Sequence, residues 1–279
     1  MGQPFLGDST LGDSTLGDST LGDSTLGDST PVVMFEDVSF WYEPAKKLFK
    51  NFNWTVQRGE SWSILGPSGC GKSTLLYLIA GLRQPSAGRI FLNGKAVEAP
   101  HRDVSLMLQD YGLLNWYTNE RNIELGLQIR GITGRERKAR VNYWLQELDI
   151  EPIRHSYPLQ ISGGQRQRVA LARVLALQSP LQLLDEPLSA VDELTRERLQ
   201  AQLVEINRKL ETSSLTVTHN VEEAVLLGDN ALVITEHNPI THFYTQQTRF
   251  TTIPERDDPA FIATCRHIRQ FFAAGPASK

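Results

Sequence analysis

Cysteine is scarce in this chain: Cys70 and Cys265 are the two in 279 residues, far apart and without metal-site spacing. That excludes a disulfide-stapled scaffold and fits a reducing compartment. Long apolar runs are missing too. No stretch approaches the roughly 20 apolar residues that cross a bilayer. The N-terminus has no cationic segment followed by an apolar one, so no secretory signal is expected. Any membrane role must then come through a partner. Positive charge is not in excess either. The 28 Lys and Arg stand against 32 Asp and Glu, a net charge of −4, so bulk charge does not point to nucleic acid. What is present is an ordinary globular balance, 40% apolar and 22% charged, enough for one large α/β domain or two modest ones.

Residues 6–30 are five tandem copies of Leu-Gly-Asp-Ser-Thr. A five-residue period fits neither helix nor strand, and one leucine per repeat buries too little to offset ordering entropy. Residues 1–30 are therefore expected to be a disordered low-complexity extension, with a tether or docking tail as the functional alternative. Met34 could serve as an alternative start, at the cost of trimming the first strand.

From Pro31 the pattern changes. Val33, Phe35, Val38 and Phe40 predict a first strand, and the alternation of Phe52, Trp54 and Val56 a half-buried second. Ser61 to Leu65 is a short apolar strand feeding a Gly-rich turn, and a helix follows from about Lys72 with Gly81 as its C-cap. Asn93-Gly94 predicts a hairpin turn, and Val104 to Leu108 another strand. Residues 111–177 read as mostly helical. Within them Thr133 and Glu136 form a capping-box pair, and Val141, Leu145 and Leu148 mark one helical face. Leu181–Leu184, Leu215–Thr218 and Ala231–Ile234 are further strands, and Leu199, Leu203, Ile206 and Leu210 recur at helical spacing. Strands alternating with helices imply a mainly parallel sheet, interrupted by the helical block.

Three segments carry chemistry. Gly66-Pro67-Ser68-Gly69-Cys70-Gly71-Lys72-Ser73 has the phosphate-loop spacing, after a strand and at a helix start. Its glycines let N–H groups converge on phosphate, and the helix terminus adds partial positive charge. Lys72 is expected to reach the β- and γ-phosphates and Ser73 to ligate Mg²⁺, with Thr74 among the nucleotide-binding residues. Cys70 reads as a small filler whose alkylation would probe nearby nucleotide. Leu183-Leu184-Asp185-Glu186 ends a buried strand with two acids. Asp185 is suited to hold Mg²⁺ through water and Glu186 to polarise the attacking water, against the plainer reading of a solvated turn. Gln182 within that apolar run is expected to face a polar neighbour.

The third segment, Ile161-Ser162-Gly163-Gly164-Gln165-Arg166-Gln167-Arg168, decides a family. It resembles the signature of the ATP-binding-cassette (ABC) family, with Ile161 where leucine is usual. The resemblance covers about residues 32–236. It implies an α/β fold: a P-loop NTPase core with a mainly parallel sheet, an antiparallel β subdomain and an inserted helical subdomain, together an ABC ATPase domain over 31–250. The tail, 251–279, is expected to carry a short helix. It also implies that Ser162, Gly163, Gly164 and Gln165 face the ATP held by a second subunit, so that a head-to-tail dimer sandwiches two nucleotides. Gln109 resembles the Q-loop glutamine, which senses Mg²⁺ and water and contacts transporter helices. Ser189-Ala190-Val191-Asp192 resembles the D-loop, with Val191 for leucine, and His219 the switch histidine on the γ-phosphate, followed by Asn220 where Asp is common. Tyr42 matches the aromatic that stacks on adenine, with Trp41 and Phe40 as rivals for that place and core packing as the plainer reading. Gln109 to Trp116, Val221 to Asp229 and Asp258-Pro259-Ala260-Phe261 look like nitrate/sulfonate/taurine-type importer ATPases, with Asn115 where proline is usual. Tyr111 and Trp116 are read evenly as core or as contacts to a membrane subunit.

The implied function is an ATP-hydrolysing subunit, peripheral at the cytoplasmic face of the membrane. It drives uptake of a small solute, an anion among the candidates, through separate permease subunits with a solute-binding protein, and takes no nucleic acid. An exporter subunit or a non-transport ABC ATPase stays open as the alternative. A small-molecule kinase would lack the 161–165 segment, a chromosome-type ABC ATPase would carry a coiled coil between Gln109 and Ser162, a translation-type protein would carry two cassettes, and a regulatory cassette would not need Glu186 and His219.

Overall fold

A computed structural model describes residues 30–43, 46–210, 212–234, 240, 243–250 and 253–274. The expectation of disorder for the pentapeptide repeats falls outside these residues up to Thr30.

Period-two burial builds the first layer. In β1 (Val33–Glu43) Phe35, Val38 and Phe40 are buried, and in β2 (Lys46–Val56) Phe52, Trp54 and Val56 are buried while Asn53 and Thr55 face water. These strands join β4 (Ala87–Leu92) and β5 (Lys95–Ala96) in an antiparallel sheet of order β2-β1-β4-β5. Asn93 and Gly94 sit at φ 49° and 75°, the paired left-handed residues that the Asn-Gly turn predicts.

The second layer is a sheet of β3 (Ser61–Leu65), β6 (Val104–Met107), β7 (Leu181–Asp185), β8 (Ser213–Val217), β9 (Asn230–Ile234) and β10 (Phe243–Gln247), ordered β10-β9-β3-β8-β7-β6. β10 pairs antiparallel with β9, and the other described pairings are parallel. Every residue of β3, β7 and β8 is buried, as a strand covered on both faces requires. The register sets Ser105 and Ser214 beside Gln182, yet its amide has no hydrogen-bond partner among the described residues. The expected polar neighbours are present, but the hydrogen bond is not.

α1 (Lys72–Ile79) packs between the two sheets with Leu75, Leu76, Leu78 and Ile79 buried. Its C-cap is Ala80. The cap thus falls one residue before the Gly81 expected, and Gly81 follows it at φ +71°, the left-handed residue that ends the helix.

Between β6 and β7 lie α2 (Asn119–Ile129), α3 (Gly134–Glu147) and α4 (Gly163–Leu175), with their own apolar cluster. Val141, Leu145 and Leu148 are buried in it, as their spacing predicts. The capping box expected at Thr133 does not form. Its side chain makes no cap bond, Gly134 turns the chain at φ 33°, and Glu136 pairs instead with Arg140 at 2.6 Å.

After β7 come α5 (Glu193–Leu210), α6 (Val221–Leu227) and α7 (Pro259–Ala274). The short tail helix expected is 16 residues long. Its Phe261, Cys265 and Ile268 share a cluster with Leu65, Ala224 and Val233, so the tail packs into the fold. Among the described residues no helix is long and apolar enough to cross a membrane.

Gly81 offers a clean stability test. A Cβ there would meet the Ala99 carbonyl oxygen at 2.4 Å in a backbone region that L-residues rarely adopt. Gly81→Ala should cost about 1–3 kcal/mol in urea unfolding. An unchanged midpoint would contradict the assigned turn.

Candidate active site

The phosphate loop follows directly from β3. Gly71 caps α1 at φ +107°, and a Cβ there would press on the Leu48 side chain at 2.8 Å, so both backbone and packing call for glycine. Lys72 is 8% exposed, and its Nζ donates to the carbonyls of Gly66 (2.7 Å) and Pro67 (2.9 Å). The loop backbone thus holds the ammonium at the helix start, where the terminus adds positive potential.

Ser68, Gly69, Gly71, Lys72, Ser73 and Thr74 line a cavity of about 520 Å³, and Gln109, Asp185, Glu186 and Tyr42 face it from other elements. A larger cleft of about 880 Å³, near Arg58 and Arg249, holds none of the phosphate-loop residues. Tyr42 is 57% exposed, its hydroxyl is 2.9 Å from Thr74 Oγ1, and its ring meets Phe40 edge-on. Phe40 is buried and lines no part of the cavity, which separates Tyr42 from that rival.

Asp185 and Glu186 close the cavity from β7. Asp185 is 1% exposed, and its Oδ2 has no hydrogen-bond partner among the described residues. Burial, foremost, pushes its carboxyl above the usual carboxylate range. A hydrogen bond from Ser73 opposes this, neighbouring Glu186 adds to it, and Lys72 opposes it. An orphaned buried carboxylate oxygen beside a hydroxyl suits a hard cation. The described residues form no cluster of three or more His, Cys, Asp or Glu. Mg²⁺ carried in with a nucleotide fits this donor set. Glu186 takes φ 50°, so the chain leaves the strand there, and its Oε1 lies 3.5 Å from His219 Nδ1.

Cys70 is buried, and burial raises its thiol pKa. Its Sγ lies 2.6 Å from where a Cβ on Gly66 would stand. It is the filler expected, but a poor alkylation probe, since access and thiolate are both limited.

Gly66, Pro67, Cys70 and His219 stand next to the lining residues without lining the cavity themselves, whereas Ser162 to Gln165 and Asp192 gather outside it. Ser162 caps α4. Its Oγ accepts the Gln165 N–H at 3.2 Å while Gln165 Oε1 accepts the Ser162 N–H at 2.9 Å. The first-turn amides of Gly163 and Gly164 have no intrahelical acceptor. The turn lies on the segment after Glu186: a Cβ on Gly164 would stand 3.0 Å from the Ala190 carbonyl oxygen. Asp192 accepts the Thr195 N–H at 3.0 Å, and that bond, foremost, holds its carboxyl below the usual range. One chain therefore carries two separate groups of motif residues, one lining the cavity and one outside it.

Past Gln109 the backbone turns through Tyr111 (φ 68°) and Gly112 (φ 55°), whose carbonyls accept from Arg173 at 2.5 and 2.6 Å. Tyr111 packs on the helical cluster as a core residue does, whereas Trp116 is 70% exposed and is not core. Gln167, Arg173 and Glu223 also hydrogen-bond near these motif residues, although no motif in the sequence marks a role for them. Gln167 gave a signal: it shares the apolar helical stripe of Ala170, Leu171 and Val174.

A profile of the family described as ABC transporter matches residues 49–189. The taurine import ATP-binding protein TauB of Pseudomonas aeruginosa is 39% identical over 189 residues, 68% of this chain and 72% of that one. The nitrate import ATP-binding protein NrtD of Synechocystis is 41% identical over 185 residues, 66% and 70% of the two chains. Among solved structures, the dimeric post-hydrolysis state of the ATP-binding cassette MJ0796 bound to ADP and Pi matches with a TM-score of 0.71. It is 29% identical, over 78% of this chain and 99% of that one.

Glu223 on α6 is buried, and its Oε2 takes a 2.5 Å hydrogen bond from Thr218 Oγ1. Burial, foremost, raises its pKa, against the Thr218 bond and the charges of Arg196 and His219, while Glu186 adds to the rise. A raised carboxyl pKa gives stability that is full below the unfolded value and lost as pH rises through the folded one. Glu223→Gln should therefore gain thermal stability over the parent at mildly alkaline pH, with the gap closing as pH falls toward the unfolded pKa. A pH-independent difference in melting temperature would refute the assignment.

Proposed function

The chain belongs to the ABC transporter family, and we propose that it is the ATP-hydrolysing subunit of an importer whose membrane-spanning part is carried by permease subunits. The observation that carries this reading is the division of the motifs. Lys72, Asp185, Glu186 and Gln109 converge on one cavity, while the Ser162 turn stands outside it against the segment after Glu186. A site so divided is complete when a second copy brings its signature turn to the first copy's phosphate loop. The dimeric cassette relative supports that arrangement.

In this reading residues 31–250 form the ATPase domain, with the helical subdomain at about 111–177, and 251–279 the tail. ATP is the substrate. Lys72 and the loop amides bind the β- and γ-phosphates, Tyr42 stacks on the adenine, and Ser162, Gly163, Gly164 and Gln165 of one copy face the ATP of the other, beside Asp192. Ser73, Asp185 and Gln109 would hold Mg²⁺, which when bound neutralises developing phosphate charge. Glu186 accepts hydrogen bonding from the attacking water and orients it, and His219, 3.5 Å from Glu186, reaches the γ-phosphate. Release of phosphate removes the shared ligand, so the pair opens.

The relatives named for taurine and nitrate import support a small polar solute, an anion in the nitrate case. Import of that type supports a solute-binding protein as a further partner and a place at the cytoplasmic face. Exposed Trp116, beyond the pinned turn after Gln109, is offered to a permease.

Two substitutions test the division of labour. Glu186→Gln should lower phosphate release by about 10³-fold or more while ATP affinity is kept; normal turnover would remove Glu186 from the chemistry. Lys72→Ala should weaken nucleotide binding by roughly tenfold or more in a fluorescent-nucleotide titration. Unchanged affinity there would contradict the phosphate role.

A further inference from the structure

Gln167 is 1% exposed, on the core-facing stripe of α4, where an amide is costly unless every polar atom is used. Its atoms are used. Nε2 donates to the Glu186 carbonyl at 2.9 Å and to Ser189 Oγ at 3.2 Å, and Oε1 accepts the Ala190 N–H at 2.9 Å. One carboxamide thus spans both ends of the turn that leaves β7. The turn needs holding, because Glu186 sits in the left-handed region, a strained place for a residue with a Cβ. From the other side Arg196 on α5 donates to the carbonyls of Leu188 (3.3 Å) and Val191 (3.0 Å). α4 is also the helix that begins at Ser162 and whose Arg173 grips Tyr111 and Gly112.

We propose that Gln167 is a positioning residue for ATP hydrolysis, fixing the backbone of Glu186 and the following loop to the helix that carries the signature turn. The proposal rests on the functional reading above. Gln167 acts through Glu186. The required chemistry is a donor and an acceptor on one planar group. Methionine keeps the length and supplies no N–H donor, while an ionised glutamate keeps the acceptor for Ala190 and turns a lone pair toward the Glu186 carbonyl. Because both contacts leave one helix, engagement of Ser162 by a second copy is passed to the carboxylate that orients water.

The test compares the full wild-type chain with Gln167→Met and Gln167→Glu, measuring kcat and KM for Mg-ATP across pH and hydrogen exchange at Ala190. Gln167→Met should lose roughly ten- to hundredfold in kcat with KM within about twofold, and Ala190 should exchange faster. Gln167→Glu should lose kcat at alkaline pH and recover relative to wild type as pH falls. Its buried carboxyl then takes a proton and regains a donor toward the Glu186 carbonyl. A purely structural loss would move both variants with melting temperature and show no such recovery, and would overturn the proposal. So would wild-type kcat in both variants, or unchanged exchange at Ala190. A wild-type chain without ATPase activity would instead overturn the functional reading, while exchange at Ala190 still judges the contact.

Discussion

The parallel pairing of β6, β7, β8 and β3 is the constraint from which the site follows. Neighbouring parallel strands end on the same edge of a sheet, so whatever each strand runs into is delivered to one place. Here β3 runs into the phosphate loop, β7 into Asp185 and Glu186, β8 toward His219, and β6 toward Gln109. Residues more than a hundred positions apart meet because the backbone ladder leaves them no other place. The arrangement costs stability. Asp185 and Glu223 are carboxyls whose charge burial opposes, and Glu186 leaves its strand in a left-handed conformation. Such costs persist where surrounding packing over-determines the geometry, as it does between the two apolar clusters that flank the sheet.

The helical insertion gives that edge a second side. α4 begins at the signature turn, grips the loop after Glu186 through Gln167, and grips the turn after Gln109 through Arg173. A rigid element touching three segments can report the state of one to the others, because packed interiors shift between discrete arrangements and do not yield smoothly. That offers a physical route between the surface at Trp116, where we propose that a membrane subunit docks, and the Glu186 carboxylate proposed to orient water.

Much of this was legible in the sequence, for identifiable reasons. The phosphate loop, the acid pair and the Asn-Gly hairpin are local: each fixes its own backbone shape, and each lies where the pattern predicts. The buried strands showed themselves as apolar runs of strand length. What failed was cooperative. Thr133 and Glu136 have the spacing of a capping box, but Arg140 captured Glu136 and Gly134 altered the entry to the helix. Gln182 does face the polar neighbours expected, Ser105 and Ser214, but its amide makes no hydrogen bond among the described residues, which the spacing alone could not tell. The length of α7 was underestimated because its apolar positions matter only against Leu65 and Val233, far away in sequence. Gln167 and Glu223 went unread because a buried polar side chain acquires meaning from its partner, and the partner is set by topology.

We propose that a complete site needs two copies, each closing the other's nucleotide. Sedimentation of the Glu186→Gln chain with ATP and Mg²⁺ tests it most directly. The account expects a dimer that forms with ATP, dissociates with ADP, and is lost when Ser162→Arg is added to the same chain. A mass that stays monomeric under ATP, or a dimer indifferent to Ser162→Arg, would contradict it.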